Sequence, residues 1–347
     1  MLAAVLEGVG QMPLREVPDP EPGPGEVVVR VMACGFCQTD YCAYTGARTN
    51  FVPGTIVGHE IAGVIAEVGP GVTGWEPGQA VVVSPAAFCG QCRWCRLGLQ
   101  HYCQEGFVIG GEGFECVWNG GFAELVRVPI SVLYAKPENV GFAAAALTEP
   151  LAGSYKGLIE YTQMRVGEDV VVIGAGGMGL LVSSIAAVGG AGTLIVADLE
   201  DFKLEYARRV GATHVINSRR TDLRQAVYDL LPDGPDIVFE AAGALPAAEA
   251  AFALCRRGTR VNMFGVIVPG TIPVSPADVH FQETRVDASF SVTPRVMTRA
   301  LDLMRKGLVD PRRIITHHIP LTEMPRALEV MGSAERVKVV VCPGQCD

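Results

Sequence analysis

The sequence has few charged residues and no excess of basic ones. Charged side chains make up 19% of the 347 residues, and 28 lysines and arginines against 37 acidic residues give a net charge of −9. A chain of negative charge without a lysine or arginine run is poorly suited to bind nucleic acid or anionic lipid. We therefore expect neither as a partner.

Long apolar runs are also missing, so no segment is expected to span a bilayer. The first residues, MLAAVLEGVG, lack the basic start and long apolar block of an export signal. We therefore expect a cytoplasmic protein. In that reducing compartment the 11 cysteines are more typical of metal sites, where they cluster, than of disulfides.

The length and the 49% content of apolar residues are sufficient for about two domains with full cores. Residues 1–150 combine glycine and proline turns with short β-branched runs, which predicts an all-β, loop-rich domain. In residues 151–290 apolar strands alternate with amphipathic helices, which predicts βαβ units around a doubly wound parallel sheet. Residues 291–347 add two helices and a final strand. The expected fold class is α/β.

A glycine-rich turn marks the start of the second domain. The predicted strand VVVI (170–173) runs directly into GAGGMG (174–179), which opens a helix. Glycines here let the backbone approach a pyrophosphate, and the helix N-terminus offers it unpaired N–H groups. Asp198 ends the next strand, where a carboxylate binds the adenosine ribose and repels a 2′-phosphate, so NAD is expected. The candidate cofactor-binding residues are Gly174, Gly176, Gly177, Met178, Gly179, Asp198 and Lys203.

Four cysteines form a compact group with the spacing C-x2-C-x2-C-x7-C. Four thiolates this close in sequence can complete a tetrahedral zinc site with no open position, which is typical of a structural zinc. An iron–sulfur cluster is the alternative, although the spacing is not of the ferredoxin kind. The predicted ligands are Cys89, Cys92, Cys95 and Cys103.

A second group of candidate ligands is spread over three segments, CGFCQTD (34–40), GHE (58–60) and TEP (148–150). Cys34 and Cys37 also form a C-x-x-C pair, but no βαβ unit follows it, which disfavours a thioredoxin-like redox role. Together with the cysteine group and the glycine turn, in this order, these motifs resemble the zinc-containing medium-chain alcohol dehydrogenase family, especially its polyol and threonine dehydrogenase branches. The resemblance covers essentially the whole chain.

The resemblance implies a GroES-like catalytic domain at 1–150 carrying the zinc lobe 89–103, a Rossmann NAD-binding domain at 151–290, and a return to the catalytic domain at 291–347. It also implies a catalytic zinc held by Cys37, His59 and a carboxylate, either Glu149 or Glu60. Asp40 would orient His59, and Thr39 would pass on the proton of the substrate hydroxyl. Cys42 stands where many relatives carry a histidine that ends this proton relay.

We therefore expect two zinc ions per chain and NAD-dependent oxidation of a secondary alcohol, polyol-like or related, to the ketone. A zinc with an open position would make the substrate hydroxyl more acidic. Polyol dehydrogenases of the family carry an Arg-Tyr pair that contacts substrate hydroxyls. This chain has Ser291-Val292 there, after Phe290, which disfavours sorbitol itself. The alternatives are an L-threonine 3-dehydrogenase, a cyclic-alcohol dehydrogenase, and a catalytically silent protein that binds zinc and NAD. By analogy the partner is another copy of the chain, in a homotetramer or dimer.

Overall fold

A computed structural model describes residues 1–48, 51–111, 118–267 and 270–344. The chain divides into two compact units. The first contains Met1–Glu149, Ser291–Gly307 and Ile315–Asp347, and the second contains Pro150–Phe290 and Leu308–Ile314. Within the described ranges, no helix has both the length and the apolar character needed to cross a membrane.

The described residues form strands and helices that are numbered here in chain order. The strands are β1 (Leu2–Leu6), β2 (Leu14–Glu16), β3 (Glu26–Phe36), β4 (Thr55–Ile56), β5 (Glu60–Val68), β6 (Ala80–Val83), β7 (Ala86–Ala87), β8 (Phe107–Val108), β9 (Leu125–Pro129), β10 (Leu133–Ala135), β11 (Val170–Ile173), β12 (Leu194–Asp198), β13 (His214–Asn217), β14 (Ile237–Glu240), β15 (Arg260–Met263), β16 (Arg285–Ala288), β17 (Ile315–Pro320) and β18 (Lys338–Cys342). The α-helices are α1 (Gln38–Thr45), α2 (Arg93–Arg96), α3 (Phe142–Ala146), α4 (Thr148–Tyr155), α5 (Gly177–Val188), α6 (Asp201–Arg209), α7 (Leu223–Leu230), α8 (Leu245–Ala253), α9 (Pro276–Gln282), α10 (Pro294–Arg305) and α11 (Met324–Gly332), and a π-helical turn (Lys156–Tyr161) follows α4.

The first unit is built around a seven-stranded sheet in the order β10-β6-β5-β3-β18-β17, with β9 also paired to β3. Strand β3 is long and mostly buried, and its pairing with β5 shifts register twice. Gly63 lies opposite Val31 at the second shift, where a Cβ would overlap the carbonyl oxygen of Arg30. The second shift therefore depends on glycine at position 63, and irregularities of this kind bend strands locally.

The second unit contains a six-stranded, all-parallel sheet in the order β13-β12-β11-β14-β15-β16. Counted from β11, this is the order 3-2-1-4-5-6 of a dinucleotide-binding Rossmann fold. The strand order reverses between β11 and β14, and ligands of such sheets bind beyond the carboxyl ends of the strands at that point. The expected α/β fold class is confirmed.

The expectation that residues 1–150 are all-β was wrong in detail, because three α-helices of at least five residues lie there or cross its end. Helix α1 is started by a cap built from Cys37, a residue type that rarely caps helices. Helix α3 has the sequence FAAAA, and alanine has the highest intrinsic helix propensity. Helix α4 carries Glu149 in its first turn.

Candidate active site

Cys37 lies at the junction of β3 and α1, where it is the N-cap of the helix. Its sulfur accepts a hydrogen bond from the backbone N–H of Thr39 at 3.5 Å, and its own N–H donates to Oδ2 of Asp40 at 3.0 Å. This is a capping box in which cysteine and aspartate replace the usual Ser/Thr and Glu/Gln. The cap fixes the sulfur at the positive end of the helix dipole, a favourable place for a negatively charged ligand atom.

Asp40 connects this cap to His59, which directly precedes β5. The Asp40 side chain is fully buried, its Oδ1 accepts a hydrogen bond from the Gly58 N–H at 3.2 Å, and Oδ1 lies 3.3 Å from Nδ1 of His59. Gly58 has φ +97°, and a Cβ there would meet Phe122 at 2.8 Å. Within the described residues, Nδ1 of His59 makes no hydrogen bond, although it lies beside the Asp40 carboxylate. Asp40 is therefore placed to orient the imidazole, and the ring nitrogen that would bind a metal stays a prediction.

The structure brings Cys37, His59 and Glu60 together, with one ligand atom from each within 4.8 Å of the others. A sulfur, an imidazole and a carboxylate form a donor set that suits zinc. Glu149 does not belong to this group of three among the described residues. Its role as a ligand therefore stays a prediction.

The electrostatics of the site are those of several buried groups with unlike charges. Burial raises the pKa of Glu149 to about 7, although the charge of His59 opposes this. Burial alone would lower the pKa of His59, but the charges of Asp40 and Cys37 outweigh it and raise that pKa well above its usual value. The carboxyl of Glu149 therefore lies close enough to interact electrostatically with His59 and Glu60.

The four predicted cysteine ligands of the lobe at 89–103 also lie together. The Sγ atoms of Cys89 and Cys103 are 3.6 Å apart, those of Cys89 and Cys95 are 3.9 Å apart, and those of Cys92 and Cys103 are 3.9 Å apart. Sulfurs at about 2.3 Å from a tetrahedral zinc would be about 3.8 Å from one another. The cluster therefore has the dimensions of a closed Cys₄ zinc site.

Two cysteines outside this lobe differ in their chemistry. Cys34 is fully buried, and burial raises the pKa of its thiol well above the usual value, which argues against a redox pair with Cys37. Cys342, the last residue of β18, is disulfide-bonded. The sequence analysis did not predict this bond.

The glycine-rich turn after β11 has the geometry of a nucleotide loop. Gly174 has φ +104°, and a Cβ there would meet the backbone of Ala241 and Ala242 at 2.9 and 2.7 Å. A Cβ on Gly179 would overlap the carbonyl oxygen of Gly174. Gly176 is different, since no atom lies within 4 Å of its added Cβ. The first and third glycines thus serve packing, whereas the second faces open space that a pyrophosphate could occupy.

Asp198 ends β12 beside this loop. Its Oδ2 accepts a hydrogen bond from the Ala175 N–H at 2.7 Å, and its Oδ1 accepts one from the Glu200 N–H at 3.0 Å. Lys203 is half-buried in the first turn of α6. Gly177 and Met178 are the first two residues of α5. The predicted cofactor residues are therefore grouped at the carboxyl ends of β11 and β12.

Sequence reasoning missed one buried charge next to the candidate metal ligands. Lys338, the first residue of β18, donates from Nζ to Oε1 of Glu60 at 2.6 Å. Burial would lower the pKa of this lysine, but the charge of Glu60 raises it. The sequence signal for it is the lysine that begins an otherwise apolar strand, KVVVC, because a buried lysine is almost always paired with a negative charge.

Comparison with known proteins gives two family matches along the chain. Residues 23–138 match the alcohol dehydrogenase GroES-like domain, and residues 177–306 match the zinc-binding dehydrogenase domain. The chain belongs to the zinc-containing medium-chain alcohol dehydrogenase family. It is an oxidoreductase that acts on alcohols with a nicotinamide cofactor.

Similar proteins extend over nearly the whole chain. A sorbitol dehydrogenase from Bacillus subtilis is 30% identical and covers 99% of this chain and 98% of its own. An L-threonine 3-dehydrogenase from Pyrococcus abyssi is 33% identical over 94% of both chains. A crystal structure described as a zinc-binding dehydrogenase from Sinorhizobium meliloti, bound to NADP, is 33% identical, covers 99% of both chains and superimposes with a TM-score of 0.91.

Proposed function

We propose that the protein oxidises a secondary alcohol of polyol type to the ketone with NAD, using a catalytic zinc held by Cys37, His59 and a carboxylate. The observation that carries the proposal is the convergence of the Cys37, His59 and Glu60 ligand atoms within 4.8 Å, in a chain of a zinc-dependent dehydrogenase family. Because Glu60 lies in this group, we assign it as the nearer carboxylate. Glu149 is the alternative carboxylate ligand, which would bind the zinc when Glu60 does not.

When bound, the zinc would act as a Lewis acid on the substrate hydroxyl, and NAD would accept the hydride. The protein side chains hold and move the proton. Thr39, half-buried in the first turn of α1, is the residue that we assign to accept the hydroxyl proton. Glu149, a carboxyl whose pKa is raised by burial, is the next acceptor that we propose for the stage at which Glu60 holds the metal and Glu149 does not. Cys42 then needs no part in the relay.

We propose a second, structural zinc at the four-cysteine lobe. The sulfur separations of 3.6 to 3.9 Å support a closed tetrahedral site, which leaves no position for a substrate. The proposal of two zinc ions per chain is checked by metal analysis of the purified protein.

We propose NAD as the cofactor because Asp198 places a carboxylate at the end of β12, beside the loop that would bind the pyrophosphate. A negative charge there repels the 2′-phosphate of NADP. The Sinorhizobium meliloti relative is bound to NADP, so this residue deserves a direct test. Titration of the protein with NADH and with NADPH would decide between them.

L-threonine is a second candidate substrate, favoured by the relatives that carry the name L-threonine 3-dehydrogenase, among them the one from Pyrococcus abyssi. We also propose a homo-oligomer, with a tetramer preferred, in the cytoplasm. Light scattering after size-exclusion chromatography tests the assembly, and cell fractionation tests the location.

The deciding experiment is a panel of secondary alcohols, polyols and hydroxy amino acids, with NADH formation as the readout. Cys37→Ala should abolish NADH formation and lower the zinc content by one ion per chain. Cys42→Ala is the matched control in the same helix and should keep both. The proposal fails if Cys37→Ala retains full activity and its zinc, or if no alcohol in the panel reduces NAD.

A further inference from the structure

A buried ion pair lies next to the candidate metal ligands, and no role in the proposed reaction explains it. Nζ of Lys338 donates to Oε1 of Glu60 at 2.6 Å and to the carbonyl oxygen of Phe36 at 3.2 Å. The side chains of Lys338 and Glu60 are only 8% and 1% exposed. Charges buried this deeply keep a defined geometry, because separating them would leave each one unpaired.

The other oxygen of the same carboxylate is in a different situation. Oε2 of Glu60 is buried and has no hydrogen-bond partner among the described residues. Gly35 lies opposite Glu60 in the β3–β5 pairing, and a Cβ on it would overlap this oxygen and lie 2.9 Å from the carboxylate carbon. Gly35 has no positive φ, so it provides space for the carboxylate rather than an unusual backbone conformation.

The two oxygens of Glu60 therefore have opposite surroundings. Oε1 accepts a hydrogen bond from an ammonium group, whereas Oε2 is buried and has no hydrogen-bond partner in the part of the chain that the structure describes. Glu60 also contributes one carboxylate oxygen to the group that contains Cys37 and His59. A buried carboxylate oxygen without a partner is a strong candidate for a metal ligand. An ammonium on the opposite oxygen competes with the metal for the charge of the carboxylate.

We propose that Lys338 is a positioning residue that restrains Glu60, so that this carboxylate is an exchangeable ligand and a coordination position stays available to substrate. Without the ammonium group, Glu60 would bind the zinc permanently and occupy that position. The inference rests on the proposed catalytic zinc. It names Lys338 as the residue that controls the exchange and Gly35 as the residue that makes room for it.

The test measures release of Zn²⁺ from the zinc-loaded protein into a chromogenic chelator. With two proposed sites, zinc release is expected in two kinetic phases. The phase that is missing in Cys37→Ala reports release from the candidate catalytic site. Lys338→Met should slow that phase by about 10- to 100-fold, which is the usual size of effect for a residue that contacts a metal ligand. The sign is the reverse of the usual loss of affinity, because this ammonium group competes with the metal for the carboxylate. It should also lower kcat more than it changes KM. Lys338→Arg should behave like the wild type, and Lys306→Met, which removes an exposed lysine of the same unit, is the control.

A double variant makes the test independent of folding. Glu60→Gln with Lys338→Met replaces the ion pair by two neutral groups, a change that folds more readily than a buried unpaired charge. In the Glu60→Gln background, Lys338→Met should leave zinc release unchanged. The visible spectrum of the Co²⁺-substituted protein should change in Lys338→Met and keep the wild-type form in Lys338→Arg.

The outcomes separate the inference from the proposed function. If Cys37→Ala keeps the zinc phase, the proposed catalytic site is wrong. If that phase is lost in Cys37→Ala but Lys338→Met releases zinc at the wild-type rate, or faster, only the role of Lys338 is wrong. An equal effect of Lys338→Met with and without Glu60 would also reject it.

Discussion

Alanine at two glycines of the loop after β11 should separate packing from cofactor binding. At Gly179, the third residue of α5, the new methyl would overlap the carbonyl oxygen of Gly174 and lie 3.0 Å from its carbon. Both are backbone atoms, which cannot rotate away as a side chain can. Overpacking of this kind costs about 1–3 kcal/mol. For a unit of this size that corresponds to a fall in Tm of about 2–12 °C without any cofactor.

At Gly176, the N-cap of α5, a methyl meets no protein atom within 4 Å. The loss of a good N-cap residue and the lower entropy of the unfolded chain offset each other to within about 1 kcal/mol, so Tm should change little. The methyl would instead extend into the space assigned to the pyrophosphate. A clash of about 1–3 kcal/mol there would raise the Kd of NADH by about 5- to 150-fold.

The assay pairs thermal melting of the cofactor-free proteins with NADH titration by fluorescence. Gly179→Ala should melt early, and Gly176→Ala should melt normally but bind NADH weakly. Two results would refute the reasoning. One is wild-type NADH affinity in Gly176→Ala, which would move the pyrophosphate away from this loop. The other is a normal Tm in Gly179→Ala, which would mean that the loop is not packed as the structure has it.

Three further predictions concern the metal lobe, the cofactor and a buried lysine. Cys103→Ser should lower the zinc content by one ion per chain, and the Tm should fall with it. The control is Cys255→Ser, at a free cysteine between α8 and β15, which should change neither quantity. Metal analysis and thermal melting measure both. Asp198→Ala should bring the affinities for NADH and NADPH closer together. An unchanged ratio of the two affinities would contradict the proposal that Asp198 binds the adenosine ribose. Burial lowers the pKa of Lys156, which donates to the carbonyl oxygen of Phe290 at 2.6 Å, from 10.5 to about 8. The folded chain therefore binds fewer protons than the unfolded chain between these pH values, and this lysine makes the free energy of unfolding rise with pH there. In Lys156→Met, the free energy of unfolding measured by melting at several pH values in this range should rise less with pH than in the wild type. An equal dependence on pH in both proteins would reject the lowered pKa of Lys156.

The fold of the second unit was accessible from the sequence because its pattern is local. Apolar strands alternating with helices define a parallel sheet wherever they occur. Strand β16 carries a weaker signal, because its residues are half-buried or exposed at the edge of the sheet. Helix α7 has a clear sequence signal, since Asp222 caps it and Leu223, Val227 and Leu230 are spaced along one face.

The candidate catalytic group was accessible only through the resemblance to a family. Nothing in the spacing of Cys37 and His59 requires that their side chains meet, because α1 and β5 lie in separate segments of the sequence. The cap that aims the Cys37 sulfur uses a residue type with weak capping preference, so propensity could not predict it. The position of Lys338 follows from the pairing of β18 with β3 across about 300 residues, which no local pattern encodes.

The two candidate metal sites therefore depend on folding in different ways. The cysteine lobe has its four ligands within residues 89–103, so metal binding there can organise the loop by itself. The group at Cys37 needs β3, β5 and β18 to be paired before Glu60 meets Lys338 and the three ligand atoms converge. Mild destabilisation of that sheet should consequently release zinc from the candidate catalytic site before it releases zinc from the lobe. Two zinc-release phases with different urea dependence, the steeper one absent in Cys37→Ala, would show this order, whereas a single common dependence would contradict it.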